Sequence, residues 1–252
     1  MVRAVPVYLV LIGLVFAGCG QPDPTARDTT VASSTAKPPV SGRSDLVGSG
    51  VETSPQVAAT TSTRPRIVFL GDSLTAGYGL ERDQSVPSLI QAHLARDGYA
   101  YDVVNAGVSG DTSAGGLSRL DWSLDGPVEV LVIELGANDG LRGLPVAAMK
   151  QNLSDIITRA QQRGIHVVLT GMEAPPNYGP VYTSDFRKAY RDLAREYQVV
   201  FVPFYLEGVA GIPSLNIADG IHPNPQGARL VEQTIWRALE PLLKASRRGT
   251  GE

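Results

Sequence analysis

Ser73 stands in Gly71-Asp72-Ser73-Leu74, directly after the short apolar run Ile67–Leu70. Far along the chain, Asp219-Gly220-Ile221-His222-Pro223 sets a carboxylate and an imidazole three residues apart. A serine hydroxyl is a weak nucleophile at neutral pH. It becomes a useful one when an imidazole takes its proton and a carboxylate holds that imidazole in the right tautomer. Ser73, His222 and Asp219 are therefore candidates for nucleophile, general base and orienting group in attack on an acyl carbonyl. Such attack leaves negative charge on the carbonyl oxygen, which must be met by placed donors. The Ser73 N–H, the N–H of Gly107 in Asn105-Ala106-Gly107 and the side-chain amide of Asn138 in Gly136-Ala137-Asn138-Asp139 are the candidates. A glycine lets the backbone come close to a substrate. An asparagine amide donates without a charge that would perturb the histidine.

Each of these residues also has a plainer use. Asp72 or Ser73 can cap a helix that starts near Leu74, Asp219-Gly220 can be a turn, and Gly107 and Asn138 can be turn residues. Position decides between the uses. Short apolar runs at Ile67–Leu70, Tyr101–Asn105, Val128–Leu135, Ile165–Thr170 and Val199–Pro203 read as strands. Between them, helical spacing of apolar residues marks Val86–Arg96, Ala114–Trp122, Val146–Arg163 and Ser184–Tyr197, with a last helix at Gln226–Lys244. Near-continuous apolar strands alternating with helices predict an α/β fold: a flavodoxin-like, three-layer α/β/α sandwich of about five parallel strands. Ligands of such sheets bind at the carboxyl ends of the strands. Ser73, Gly107 and Asn138 follow the first three strands and His222 precedes the last helix, so all four fall on one rim.

The formal net charge of −3 among 252 residues gives no basic footprint, so a nucleic-acid partner is not expected. One cysteine, Cys19, rules out an internal disulfide and a cysteine zinc cage. The three histidines, His93, His166 and His222, are too dispersed for a metal site, and the chemistry needs no cofactor. At the N-terminus Arg3, the apolar stretch Val5–Phe16 and Val15-Phe16-Ala17-Gly18-Cys19 read as a signal peptide of residues 1–19. The end of that stretch is similar to the lipobox of bacterial lipoproteins, where the cysteine is lipidated; Phe16 stands where leucine is usual. Residues 20–64, rich in Thr, Ser, Pro and Gly, read as a disordered tether, residues 65–245 as the domain, and 246–252 as a disordered tail. The expected localisation is outside the cytoplasm, on a membrane anchor.

Four segments together resemble the blocks of the SGNH (GDSL) hydrolases: Gly71–Leu74, Asn105–Thr112, Gly136–Gly143 and Asp219–Asn224. Pro176–Gly179 and Pro203-Phe204 are similar to the branch containing thioesterase I, lysophospholipase L1 and arylesterases. The resemblance implies Ser73 as nucleophile, His222 as base, Asp219 as its partner, and Ser73, Gly107 and Asn138 as oxyanion donors. It implies hydrolysis of carboxylic esters and thioesters of small molecules or lipids, with the loop around Met172–Tyr182 lining an acyl groove. A carbohydrate acetyl esterase and a non-catalytic acyl-binding lipoprotein are the alternatives at this point.

Overall fold

The computed structural model describes residues 63–249, which lie within one compact unit, Ala58–Glu252. The expected signal peptide, Cys19 and nearly all of the expected tether fall outside the described residues. Among the described residues no helix is long and apolar enough to cross a membrane.

Five parallel strands form the sheet: β1 (Arg66–Gly71), β2 (Asp102–Gly107), β3 (Val128–Glu134), β4 (His166–Thr170) and β5 (Val200–Val202), in the order β2-β1-β3-β4-β5. The central strands are apolar on both faces because helices cover both. Ile67, Phe69, Leu70, Val130, Leu131, Val132 and Ile133 have essentially no exposed surface. The helices are α1 (Ser73–Ala76), α2 (Val86–Arg96), α3 (Ser113–Ser118), α4 (Leu120–Ser123), α5 (Ala137–Leu141), α6 (Val146–Gln162), α7 (Gly179–Tyr197) and α8 (Pro225–Gly249). Helices α2 and α8 pack together on one face, and α3, α6 and α7 on the other. This is the three-layer sandwich expected from the sequence. The strand order reverses between β1 and β3, and that switch point opens a crevice at their carboxyl ends.

The expected helix Ala114–Trp122 is two helices, broken at Arg119. Gly115 and Gly116 are poor helix formers, and Gly116 lies so close to Leu135 that a β-carbon there would sit 2.2 Å from its side chain. Helix α7 begins at Gly179, five residues before the expected Ser184, since Pro180 suits the first turn of a helix. The expected tail at 246–252 also starts too early. Helix α8 runs to Gly249, with the Ser246 hydroxyl donating to Glu129 at 2.5 Å and the Arg247 guanidinium 3.9 Å above the Tyr99 ring.

His93 and His166 serve the fold. His93 lies on α2 with Nδ1 2.5 Å from Glu232 and its ring stacked on Trp236 at 3.7 Å, so it fastens α2 to α8. His166 opens β4 on the exposed side.

Candidate active site

The long segment after β5 carries Asp219 and His222, and its backbone is closely fixed. Asn216 and Pro223 form an isolated antiparallel bridge, and the Ile217 N–H donates to the His222 carbonyl at 2.8 Å. Asn224 then caps α8, its Oδ1 accepting from the N–H groups of Gln226 (3.0 Å) and Gly227 (3.1 Å). The Asp219 carboxylate makes three contacts within a reach of three residues. Oδ1 takes the N–H groups of Ile221 (2.9 Å) and His222 (3.0 Å), and Oδ2 lies 2.7 Å from His222 Nδ1. His222 Nε2 lies 2.8 Å from Ser73 Oγ, and the Tyr78 ring packs against the imidazole at 4.7 Å. An ionised Asp219 accepts only, so Nδ1 carries the ring proton and Nε2 is left to accept from Ser73.

The backbone N–H of His222, that of Ile221 and the His222 ring together hold the Asp219 carboxyl down at about 2. A depressed folded value means that the contribution to stability is full above the ordinary 3.8 and lost as pH falls toward about 2. The stability difference between wild type and Asp219→Asn should therefore shrink as the pH drops from about 4 to about 2, followed by urea unfolding. At neutral pH the same variant should lower kcat on the order of 10³–10⁴-fold, because the imidazole loses the acceptor that sets its tautomer.

Ser73 opens α1 immediately after the carboxyl end of β1. Its N–H has no acceptor among the described residues. Asp72 caps this helix, Oδ1 accepting from the Leu74 N–H at 3.0 Å, while Oδ2 accepts from Asn138 Nδ2 at 2.9 Å. One hydrogen of the Asn138 amide is thus fixed on Asp72, and the other remains for an oxyanion. Burial raises the Asp72 carboxyl; its bonds from Leu74, Glu134 and Asn138 and the nearby His222 oppose that.

Gly107 ends β2 beside the same turn, and its N–H donates to Asn105 Oδ1 at 3.0 Å. Asn105 Nδ2 donates in turn to the Thr75 carbonyl at 3.0 Å, tying β2 to α1. The third expected donor is therefore engaged by its own neighbour in this structure. Arg119 spans the two strand ends, donating from Nη1 to the Ala106 carbonyl (2.7 Å) and from Nη2 to the Gly71 carbonyl (2.9 Å), with Nε on Asp111 (2.7 Å). Asp139, next to Asn138, is buried and accepts from the Ser113 N–H (2.7 Å) and hydroxyl (2.6 Å), which fixes α5 against α3. Asp72, Arg119, Asp139 and Tyr78 were not singled out from sequence for these contacts; only Asp72 carried a signal there, as a capping type before a helix.

An apolar groove of about 200 Å³ opens beside these groups, walled by Leu74, Ala137, Leu141, Met172, Phe204 and Ile221 among others. Leu74, Ala137 and Ile221 in its wall are the chain neighbours of Ser73, Asn138 and His222. Met172, Glu173 and Pro175 from the expected Met172–Tyr182 loop line it as well. No group of three or more His, Cys, Asp or Glu side chains is placed to hold a metal among the described residues.

The profile of the GDSL-like lipase/acylhydrolase family matches residues 69–230. Esterase TesA of Pseudomonas aeruginosa is 44% identical over 189 residues, 75% of this chain and 92% of that protein. An arylesterase of Vibrio mimicus is 38% identical over 184 residues, 73% of this chain and 92% of that protein. The crystal structure of TesA superposes with a TM-score of 0.68 at 44% identity, over 70% of this chain and 99% of that one. The matched stretch contains the β1 turn, the ends of β2 and β3 and the Asp219–His222 segment, and on that shared frame the chain belongs to the GDSL-like lipase/acylhydrolase family.

Proposed function

We propose that this protein hydrolyses carboxylic esters and thioesters through an acyl-enzyme on Ser73, outside the cytoplasm and on a lipid anchor. The observation that carries the chemistry is the unbroken relay from Asp219 to His222 to Ser73, at 2.7 and 2.8 Å, with an apolar groove walled by the chain neighbours of Ser73 and His222. His222 Nε2 takes the Ser73 proton as Oγ attacks the acyl carbonyl. The oxyanion is met by the Ser73 N–H and the free hydrogen of the Asn138 amide, and Gly107 joins them when its N–H is shared with the substrate. His222 then protonates the leaving alkoxide or thiolate. Water, deprotonated by the same imidazole, attacks the acyl carbon and restores Ser73.

The groove receives the acyl chain. Each methylene that enters it should raise kcat/KM by roughly three- to fourfold, following about 0.8 kcal/mol of transfer free energy. Full-length protein assayed on p-nitrophenyl esters from acetate to laurate should therefore prefer acyl chains longer than acetate, rising until the groove is filled. A preference for acetate that extends to acetylated glycans would favour a carbohydrate acetyl esterase instead. Fatty-acid binding with no Ser73-dependent turnover would favour a carrier.

Cys19, at the end of the apolar stretch Val5–Phe16, is the lipidation site of this proposal, and residues 20–64 tether the domain to the membrane. Labelling cells with a palmitate analogue should mark the wild type and leave Cys19→Ala unmarked. Equal labelling of both removes the anchor.

A further inference from the structure

Beneath the nucleophile lies a carboxyl pair that the relay does not use. Glu134 closes β3 with no exposed surface. Its Oε2 accepts from the Asp72 N–H (3.2 Å), the Thr75 N–H (3.2 Å) and the Thr75 hydroxyl (2.8 Å). All three donors belong to the turn and helix that carry Ser73. Its Oε1 is buried and has no hydrogen-bond partner among the described residues. The Glu134 carboxyl lies beside the Asp72 residue, 3.2 Å from its N–H nitrogen, and the Asp72 carboxyl itself accepts from Leu74 and Asn138.

Neither carboxyl has a lysine or arginine partner among the described residues. Two neighbouring carboxyls shut away from water disfavour each other's charge, so the pair favours a state with one proton. The groups that face it decide where. Both oxygens of Asp72 accept hydrogen bonds, from Leu74 and Asn138, whereas Glu134 Oε1 has no partner, which favours charge on Asp72. The groups that interact electrostatically with Glu134, namely Asp72, Tyr190 of α7 and Tyr205 after β5, include no cation. The proton belongs on Glu134.

We propose that Glu134 is a positioning residue, a buried carboxylic acid that donates to Asp72 and thereby ties the Ser73 turn and the Asn138 amide into one hydrogen-bonded unit. This rests on the roles proposed above for Ser73 and Asn138. Burial, and then the adjacent Asp72 charge, push the Glu134 carboxyl well above its ordinary 4.5. A raised folded value means that its contribution is full below 4.5 and is lost as the pH rises toward the raised value.

The test uses full-length wild type, Glu134→Gln, Glu134→Ala and Asp72→Asn, with kcat on p-nitrophenyl butyrate and Tm followed from about pH 5 to about pH 8. A glutamine can accept the three bonds on its oxygen and donate to Asp72 from its amide. Glu134→Gln should therefore keep kcat within about threefold of wild type, while Glu134→Ala and Asp72→Asn lose on the order of 10²-fold. The Tm of Glu134→Gln should also gain on that of wild type as the pH rises.

Equal impairment of Glu134→Gln and Glu134→Ala would overturn the proposal, and so would a Tm difference that ignores pH. An active Asp72→Asn beside an inactive Glu134→Gln would place the proton on the wrong residue and overturn it too. Should Glu134→Ala fail to fold, the glutamine variant and its Tm profile still decide. A wild type with no esterase activity refutes the proposed function, while the Tm profile continues to report on the shared proton.

Discussion

Replacing Ser73 by alanine should lower kcat for ester hydrolysis by about 10⁵–10⁶-fold and leave the fold intact. Ser73 is half-buried at the head of α1. Its hydroxyl has one side-chain contact, His222 Nε2 at 2.8 Å. The cap of α1 comes from Asp72 and survives the change, as do the three bonds that Glu134 Oε2 receives. The expected Tm shift is accordingly within a few degrees. His222→Ala should cost as much as Ser73→Ala, and the double variant little more than either, because the residues act as a unit. Additive losses would mean that the two serve different steps. Assays of the three variants against wild type, with Tm recorded on the same preparations, check this.

The second large effect is expected at Gly107, where two explanations of one residue can be told apart. A β-carbon built there would lie 2.2 Å from the Ala76 nitrogen, 2.7 Å from its α-carbon and 2.8 Å from the Thr75 carbonyl carbon. These are backbone atoms of α1, not the ends of flexible side chains. Gly107→Ala must push α1 away from β2 and carry Ser73 with it. Overpacking of this kind costs about 2–4 kcal/mol of stability. A displacement near 1 Å at a nucleophile costs on the order of 10²-fold in rate. If Gly107 served only as a backbone donor, alanine would keep the N–H and both losses would be small. Urea unfolding and kcat measured together separate the two readings, and the structure favours the large loss in both.

Strand runs such as Ile67–Leu70 and Val128–Leu135 were legible because strands buried on both faces must be apolar along their length. The strand order and the common rim follow from alternation and from the binding rule of open sheets. The break at Arg119 was not legible, since the glycines before it also fit a poor continuous helix. What ends α3 there is a tertiary matter, with the Arg119 side chain drawn across the ends of β1 and β2 to the Gly71 and Ala106 carbonyls. The overrun of α8 past residue 245 was hidden for a similar reason, because Ser246 and Arg247 find partners 117 and 149 residues away.

At the site, the residue types and their order along the chain could be read directly. The structure adds that the plain uses leave room for the proposed chemical ones. Asp72 caps α1 and holds Asn138; Gly107 allows α1 to pack closely, with its N–H donated to Asn105 Oδ1. Glu134 was not legible as part of the site. An acidic residue ending an apolar strand normally marks the return to solvent, and here it is enclosed by the turn that follows β1. Only the fold brings it under Asp72, 62 residues away.

Mapping where an alkylphosphonate bonds to the full-length protein tests the proposed chemistry most directly. The phosphorus centre should be attacked by one nucleophile and held there. Digestion and mass spectrometry should then place one phosphonyl group on Ser73, with esterase activity lost in proportion to labelling and no adduct in Ser73→Ala or His222→Ala. An adduct on another residue, or esterase activity that persists in fully Ser73-labelled protein, would contradict Ser73 as the nucleophile.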